Sequence, residues 1–169
     1  MPHNSPSRPV RRWVRAVFAH RTTHSALVRN PGRPPYGYTT MTVAGSRSRW
    51  TPEPRRSLVV QDIFYWRAVT GLSIEDIAAR LDVDHDRYPP PGTDTAWSPD
   101  AVAAILTTVR YTGYQATGTR DENGCLRPAG QWVLSAQPTH RALVTPALFW
   151  AAQNPATSVR ATRDDGSTP

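Results

Sequence analysis

Lysine is missing from this sequence: all 20 basic residues are arginine. The planar guanidinium fork pairs bidentately with phosphates and guanine edges, where an ammonium acts as a point charge. A GC-rich coding sequence gives the same bias without any function, so composition alone leaves both explanations open. Cysteine is nearly absent as well. The single Cys125 excludes an intramolecular disulfide and leaves a cysteine-based zinc site without ligands. No apolar run approaches the roughly 20 residues of a membrane helix. The N-terminal arginines are not followed by an apolar stretch with a small-residue cleavage site. The expected compartment is therefore the cytoplasm, with no membrane contact. Apolar residues make up only 38% of the chain, and 17 residues are proline. That leaves material for one core of ordinary domain size with less ordered ends. His3, His20, His24, His85 and His140 have no metal-ligand spacing, and neither a metal, a cofactor nor a small-molecule substrate is expected.

What is present is positive charge, unevenly placed. The net charge is +7. Between Met1 and Arg56 there are eleven arginines and one acid, Glu53, whereas Ser57 to Asn154 holds seven arginines and ten acids. Codon bias does not concentrate charge in one third of a chain; a polyanionic partner accounts for it.

Three regions follow. Residues 1–29 form a basic leader, in which Arg11 to His20 is open to two readings. Trp13, Val14, Val17 and Phe18 fall near one helical face, but the composition equally fits disorder. Residues 155–169 are polar, lack periodicity and read as a disordered tail. The body is 30–154. It begins with Gly32-Arg33-Pro34-Pro35-Tyr36-Gly37-Tyr38, whose prolines and glycines exclude a helix and favour an extended or turning path as far as residue 56.

Helical spacing then takes over. Val59, Ile63 and Trp66 mark a helix from about Leu58 to Val69, which Gly71 ends. Ile74, Ile77, Ala78 and Leu81 mark a second; Val102, Ile105, Leu106 and Val109 mark a third, with Val109 carrying the stripe one turn further; Pro146 to Gln153 form a fourth. Ser73, Ser98 and Thr145 are placed to accept a bond from an orphan backbone N–H at three of the starts. Leu72 with Ile77, Trp97 with Val102 and Val144 with Phe149 have hydrophobic-staple spacing. Pro99 and Pro146 occupy first-turn positions, where a missing N–H costs nothing. Between the third and fourth helices, Tyr111 to Gly118 and Gln131 to Leu134 read as two antiparallel strands, with an Asn123-Gly124 turn signal in the connection. The expected fold is α+β: a small helical bundle of helix-turn-helix-like character with an antiparallel hairpin or small sheet.

Gly71-Leu72-Ser73 with Ile77-Ala78 and Leu81 looks like the first half of a helix-turn-helix, and the helix from Pro99 is then a candidate groove reader. The connection from Asp82 to Trp97 is much longer than the three or four residues of the simple motif. The wider constellation is more specific. It runs from Gly32-Arg33-Pro34-Pro35-Tyr36-Gly37-Tyr38 through Val60, Ile63-Phe64, Gly71-Leu72-Ser73, Ile77-Ala78 and Leu81. It continues with Trp97-Ser98, Val102, Ile105-Leu106 and Arg110-Tyr111-Thr112-Gly113, and ends with Trp132-Val133-Leu134-Ser135, His140-Arg141-Ala142-Leu143-Val144 and Phe149. In order and spacing this resembles the recombinase DNA-binding domain of the large serine recombinases, over about residues 30–154. The resemblance implies a mixed domain that grips double-stranded DNA at half of an attachment site, with the Pro-Pro-Tyr-Gly-Tyr segment near the minor groove. It departs from the family where Thr108 and Val109 stand in place of Asn-Pro. The family's nucleophilic serine lies in a separate domain upstream, and its zinc ribbon needs two Cys-x-x-Cys pairs. Ser5, Ser7, Ser46 and Ser48 lack the expected setting, so no catalytic residue is expected, and the chain reads as a partial recombinase.

Arg33, Tyr36 and Tyr38 are the foremost candidates for DNA contact, a cation and two rings on an extended segment. Arg47 and Arg49, with Arg55 and Arg56, would supply diffuse phosphate attraction. Thr107 and Thr108, on the outer face of the third helix, have methyls suited to thymine, although Asp100 on that face repels phosphate. Arg110, Tyr114 and Arg120 are placed to reach the backbone from the strand region. The tryptophans are expected to pack in the core. The chain is expected to act as a DNA binder, as the DNA-binding half of a split recombinase, or as a partner of an intact serine recombinase.

Overall fold

A computed structural model describes residues 32–43, 47–92 and 95–154; of the side chains in these spans, those of Val43, Arg47 and Ser48 lie outside the description. The helix or disorder expected at Arg11 to His20 and the tail 155–169 also lie outside the described residues. The fold is α+β, with four α-helices and two small antiparallel strand pairs among the described residues.

The first element was not foreseen as such. Strand β1 (Tyr38–Val43) pairs with β2 (Arg47–Pro52) as an antiparallel hairpin, in a register that sets Tyr38 opposite Pro52 and Thr40 opposite Trp50. The Thr-Thr-Met-Thr-Val run supplies β-branched residues suited to a pleated strand. The Glu53 N–H then donates to the Gly37 carbonyl at 2.9 Å and closes the hairpin.

Helix α1 spans Pro54–Tyr65 and so begins earlier than the expected Leu58. The signal lay in polar residues rather than in the apolar stripe. The Glu53 carboxylate accepts from the N–H groups of Arg55 and Arg56, and Pro54 opens the first turn. A π-helical turn, Trp66–Thr70, carries α1 on to Gly71, whose φ of 70° ends it in the left-handed conformation. Helices α2 (Ile74–Leu81), α3 (Pro99–Leu106) and α4 (Pro146–Gln153) start at Ser73, Ser98 and Thr145, and each of these side chains accepts the expected backbone N–H. Helix α3 stops at Leu106 instead of running through Val109. The Thr107 and Thr108 hydroxyls donate back to the carbonyls of Ala103 and Ala104, and Thr108 is extended, so Val109 opens a separate 3-10 turn, Val109–Thr112.

The expected strand from Tyr111 is likewise shorter. Tyr111 belongs to that 3-10 turn, and left-handed Gly113 (φ 89°) redirects the chain, leaving β3 (Ala116–Thr117) paired with β4 (Val133–Leu134). The Asn-Gly signal marks a turn at Asp121–Gly124, where the Asp121 carboxylate accepts from the N–H groups of Asn123 and Cys125.

One core joins these pieces. Val59, Val60, Ile63 and Phe64 of α1 meet Ile77 and Leu81 of α2, Val102, Ile105 and Leu106 of α3, and Phe149 of α4. All five tryptophans of the described residues are buried, as expected. Among the described residues no helix is long and apolar enough to cross a membrane.

Gly37 has the least freedom. At φ 91° an added Cβ would lie 2.8 Å from the Val60 side chain and 3.1 Å from that of Leu143. Gly37→Ala is therefore expected to destabilise the fold by about 1–3 kcal/mol, combining backbone strain and overpacking. Gly124→Ala, where nothing stands within 4 Å but φ is 79°, should cost only the conformational part, roughly 1 kcal/mol. Urea midpoints of the two variants measure the difference; equal midpoints would contradict the packing assignment.

Candidate nucleic-acid interface

The candidate residues divide into those the fold buries and those it leaves exposed. Tyr38 is in the first group. It stacks on Tyr111 with centroids 6.0 Å apart, and its hydroxyl donates to the Arg141 carbonyl at 2.7 Å. Burial pushes its phenol well above the ordinary tyrosine range. Its ring is a root of the hairpin and not a surface for DNA, which corrects its reading as a contact residue. Tyr36 is half-buried: its hydroxyl donates to the Pro89 carbonyl, its ring meets Trp97 edge-on at 5.4 Å, and the Arg56 guanidinium lies 5.7 Å from its centroid. Arg33 is exposed.

The hairpin grows out of this root. Tyr38 and Trp50 are buried at its base, while Thr39, Thr40, Met41, Thr42 and Arg49 are exposed. Arg47 pairs with Val43 at the far end of the ladder. Beneath the hairpin, the guanidinium of Arg110 sits 5.8 Å from the Trp50 ring centroid, and its Nη2 donates to the Ala116 carbonyl at 3.4 Å. Partial burial lowers the Arg110 pKa, yet an arginine stays charged under such a shift. His140 closes the cluster. Its Nε2–H donates to the Arg110 carbonyl at 2.7 Å, and its ring meets Tyr38 at 5.0 Å and Trp50 at 5.2 Å. The next residue, Arg141, is exposed, and its carbonyl is the one that holds Tyr38. The Arg110 guanidinium is thus anchored on this aromatic root, and the exposed Arg49 and Arg141 adjoin its members Trp50 and His140 in the chain. Arg49 and Arg110 are among the residues expected from the sequence; Arg141 and the threonine strand are not. The signal for that strand was the β-branched run before the Ala44-Gly45 break.

The remaining candidates lie elsewhere on the described surface. Arg120 is exposed and donates to the Gly124 carbonyl at 2.7 Å within its own turn. Tyr114 is half-buried. Thr107 and Thr108 are half-exposed, their hydroxyl protons committed to α3.

Charges of both signs lie around α2 and the loop after it, where Arg80 and Arg87 stand among the acids and the Arg55 guanidinium donates to the Asp86 carbonyl. Among the described residues the only ion pair is His85 with Asp82, at 2.9 Å, so no described arginine has a described carboxylate within ion-pair distance. Acids gather in the first turns of α2 (Glu75, Asp76) and α3 (Asp100), and in the loop that carries Asp82, Asp84 and Asp86. That loop is pinned by Trp97, whose N–H donates to Asp82 at 2.6 Å and whose indole N–H donates to the Tyr88 carbonyl at 2.8 Å. Helix α3 therefore combines an exposed Asp100 with no basic residue.

The recombinase family model matches residues 54–158, well over half of the chain. The chain belongs to the recombinase family. No curated protein matches it. The recombinase match covers α1 through α4 and begins just after the hairpin. It agrees with the recombinase domain of the large serine recombinases indicated by the motif blocks.

His140 gives this recombinase a pH-sensitive joint. Its pKa is lowered chiefly by burial, with the Arg110 charge acting in the same direction and the bond to the Arg110 carbonyl opposing it. A group held below its unfolded value is bound to fewer protons in the folded state, so it stabilises the fold above about pH 6.5 and that contribution is lost as pH falls through the depressed folded pKa. The stability of the wild type is expected to fall between pH 7.5 and 5.5 more than that of His140→Gln. Parallel denaturation profiles would show that His140 is not the group responsible.

Proposed function

We propose that this recombinase domain binds double-stranded DNA sequence-specifically, as the site-gripping part of a site-specific recombination system. The observation that carries the reading is the set of arginines around the hairpin root, each without a carboxylate partner among the described residues, on a family framework whose members act on DNA. A protein that neutralised its own cations internally would have little left for phosphates. Arg110 is held on the Trp50 ring and pre-ordered by its contact with Ala116, which reduces the entropy lost when it meets a phosphate. Arg141 flanks it, and Arg33 leads into the same segment through Tyr36 and Tyr38. The body takes the boundaries 30–154. Cleavage chemistry is not assigned to any residue of this body, and a catalytic domain on the same or another chain would supply it.

A second reading, association with an intact serine recombinase, is favoured by one feature. Leu58 and Tyr65, two turns apart on α1, are large apolar side chains left 59% and 50% exposed, on either side of Gln61 and Asp62. Copurification in the absence of DNA would separate that role from tethering through a shared duplex.

Duplex binding should weaken steeply with salt, its logarithm falling by about 0.9 per phosphate neutralised for each tenfold rise. Arg141→Ala and Arg110→Gln are each expected to lower that slope by about one contact and to weaken binding to all duplexes alike. Fluorescence anisotropy across a salt series reads both quantities. Salt-independent binding, or none at low ionic strength, would overturn the reading.

A further inference from the structure

We infer that the β1–β2 hairpin is the element that reads DNA sequence, as a two-stranded ribbon entering the major groove. This rests on the duplex-binding reading above and adds to it the element, the groove and the side chains. Successive residues of a strand point to opposite faces. Thr39, Thr40, Met41 and Thr42 are nevertheless all exposed, so both faces of β1 beyond Tyr38 are uncovered. Met41 is 52% exposed and stands opposite Arg49 in the register. A two-stranded ribbon is only marginally stable in water on its own. Here the root is clamped into the core by Tyr38 and Trp50, which lets the outer part stand clear of the body.

The chemistry of the ribbon selects its partner. From Tyr38 to Pro52 there is no acid, so no side chain on it repels phosphate. Threonine hydroxyls exchange hydrogen bonds with base edges, threonine and methionine methyls pack on the thymine methyl, and arginine pairs bidentately with guanine O6 and N7. A protein partner would be expected to leave its counter-charges or a continuous apolar patch on the ribbon, and Met41 is the only large apolar side chain exposed there among the described residues. Width favours the major groove: at about 12 Å it admits a β-ribbon as it stands, whereas the minor groove, about 6 Å wide, has to be opened or bent to take one. The root supplies the flanking phosphate anchors, Arg110 against Trp50 and Arg141 beside Tyr38. Helix α3, the other element considered for this role, presents Asp100 and no cation.

The test uses the full chain and a pool of random duplexes, from which the wild type enriches a preferred sequence. A T40A/M41A/T42A variant and Arg49→Ala, all at exposed positions, are compared with it after circular dichroism has verified the fold. The expected result is that the triple variant keeps its affinity for unselected duplex and its salt slope, and loses at least tenfold of its preference for the enriched sequence. Premethylation with dimethyl sulfate should interfere with wild-type binding at guanine N7, in the major groove, and that interference should disappear in the variants. A preference undiminished in the variants, wild-type binding without any preference, or interference confined to adenine N3 in the minor groove would each overturn the hairpin assignment alone. A wild type that binds no duplex would remove the DNA-binding reading with it.

Discussion

A single hydroxyl ties the two halves of this protein together. Tyr111, fully buried, donates to the Tyr36 carbonyl at 2.8 Å across 75 residues of chain. Its backbone carbonyl accepts from Leu143 and Val144, and its ring stacks on Tyr38 and meets Phe64. The segment that leads into the hairpin, the first helix and the approach to the last helix therefore all meet at one side chain. A buried carbonyl left without its donor costs about 1–3 kcal/mol, so the geometry of the hairpin root is held by more than apolar contact.

From that constraint the rest of the surface follows. The root fixes Tyr38 and Trp50, Trp50 carries the Arg110 guanidinium, and His140 ties the Arg110 backbone to the same aromatic cluster. Arg49, Arg110 and Arg141 lie where the hairpin leaves the body, and the acids of α2, its following loop and α3 are interspersed with Arg80 and Arg87.

The helices were legible in the sequence because their determinants are local. Ser73, Ser98 and Thr145 each cap the helix that follows, and the apolar residues at helical spacing are the ones buried. The failures share a cause. The start of α1 depended on Glu53 and Pro54, polar signals that the apolar stripe masked. The end of α3 depended on threonine hydroxyls turning back onto their own helix. Tyr38 was assigned to the surface because a Tyr-Gly-Tyr segment gives no indication of which ring faces inward; that is decided by Tyr111 and by the Arg141 carbonyl 103 residues away.

By itself the sequence determined the helical content and its starts, the membership in a DNA-acting family and the concentration of arginine near the front, because caps, periodicity, motif order and composition are all carried by neighbouring residues or by counting. Only the tertiary structure decided which arginines share a site, that a threonine-rich strand stands free beside them, and that one tyrosine of the leading motif is a core residue. Those outcomes depend on contacts between segments far apart in the chain, whose pairing is fixed by the closing of the core and not by any local preference.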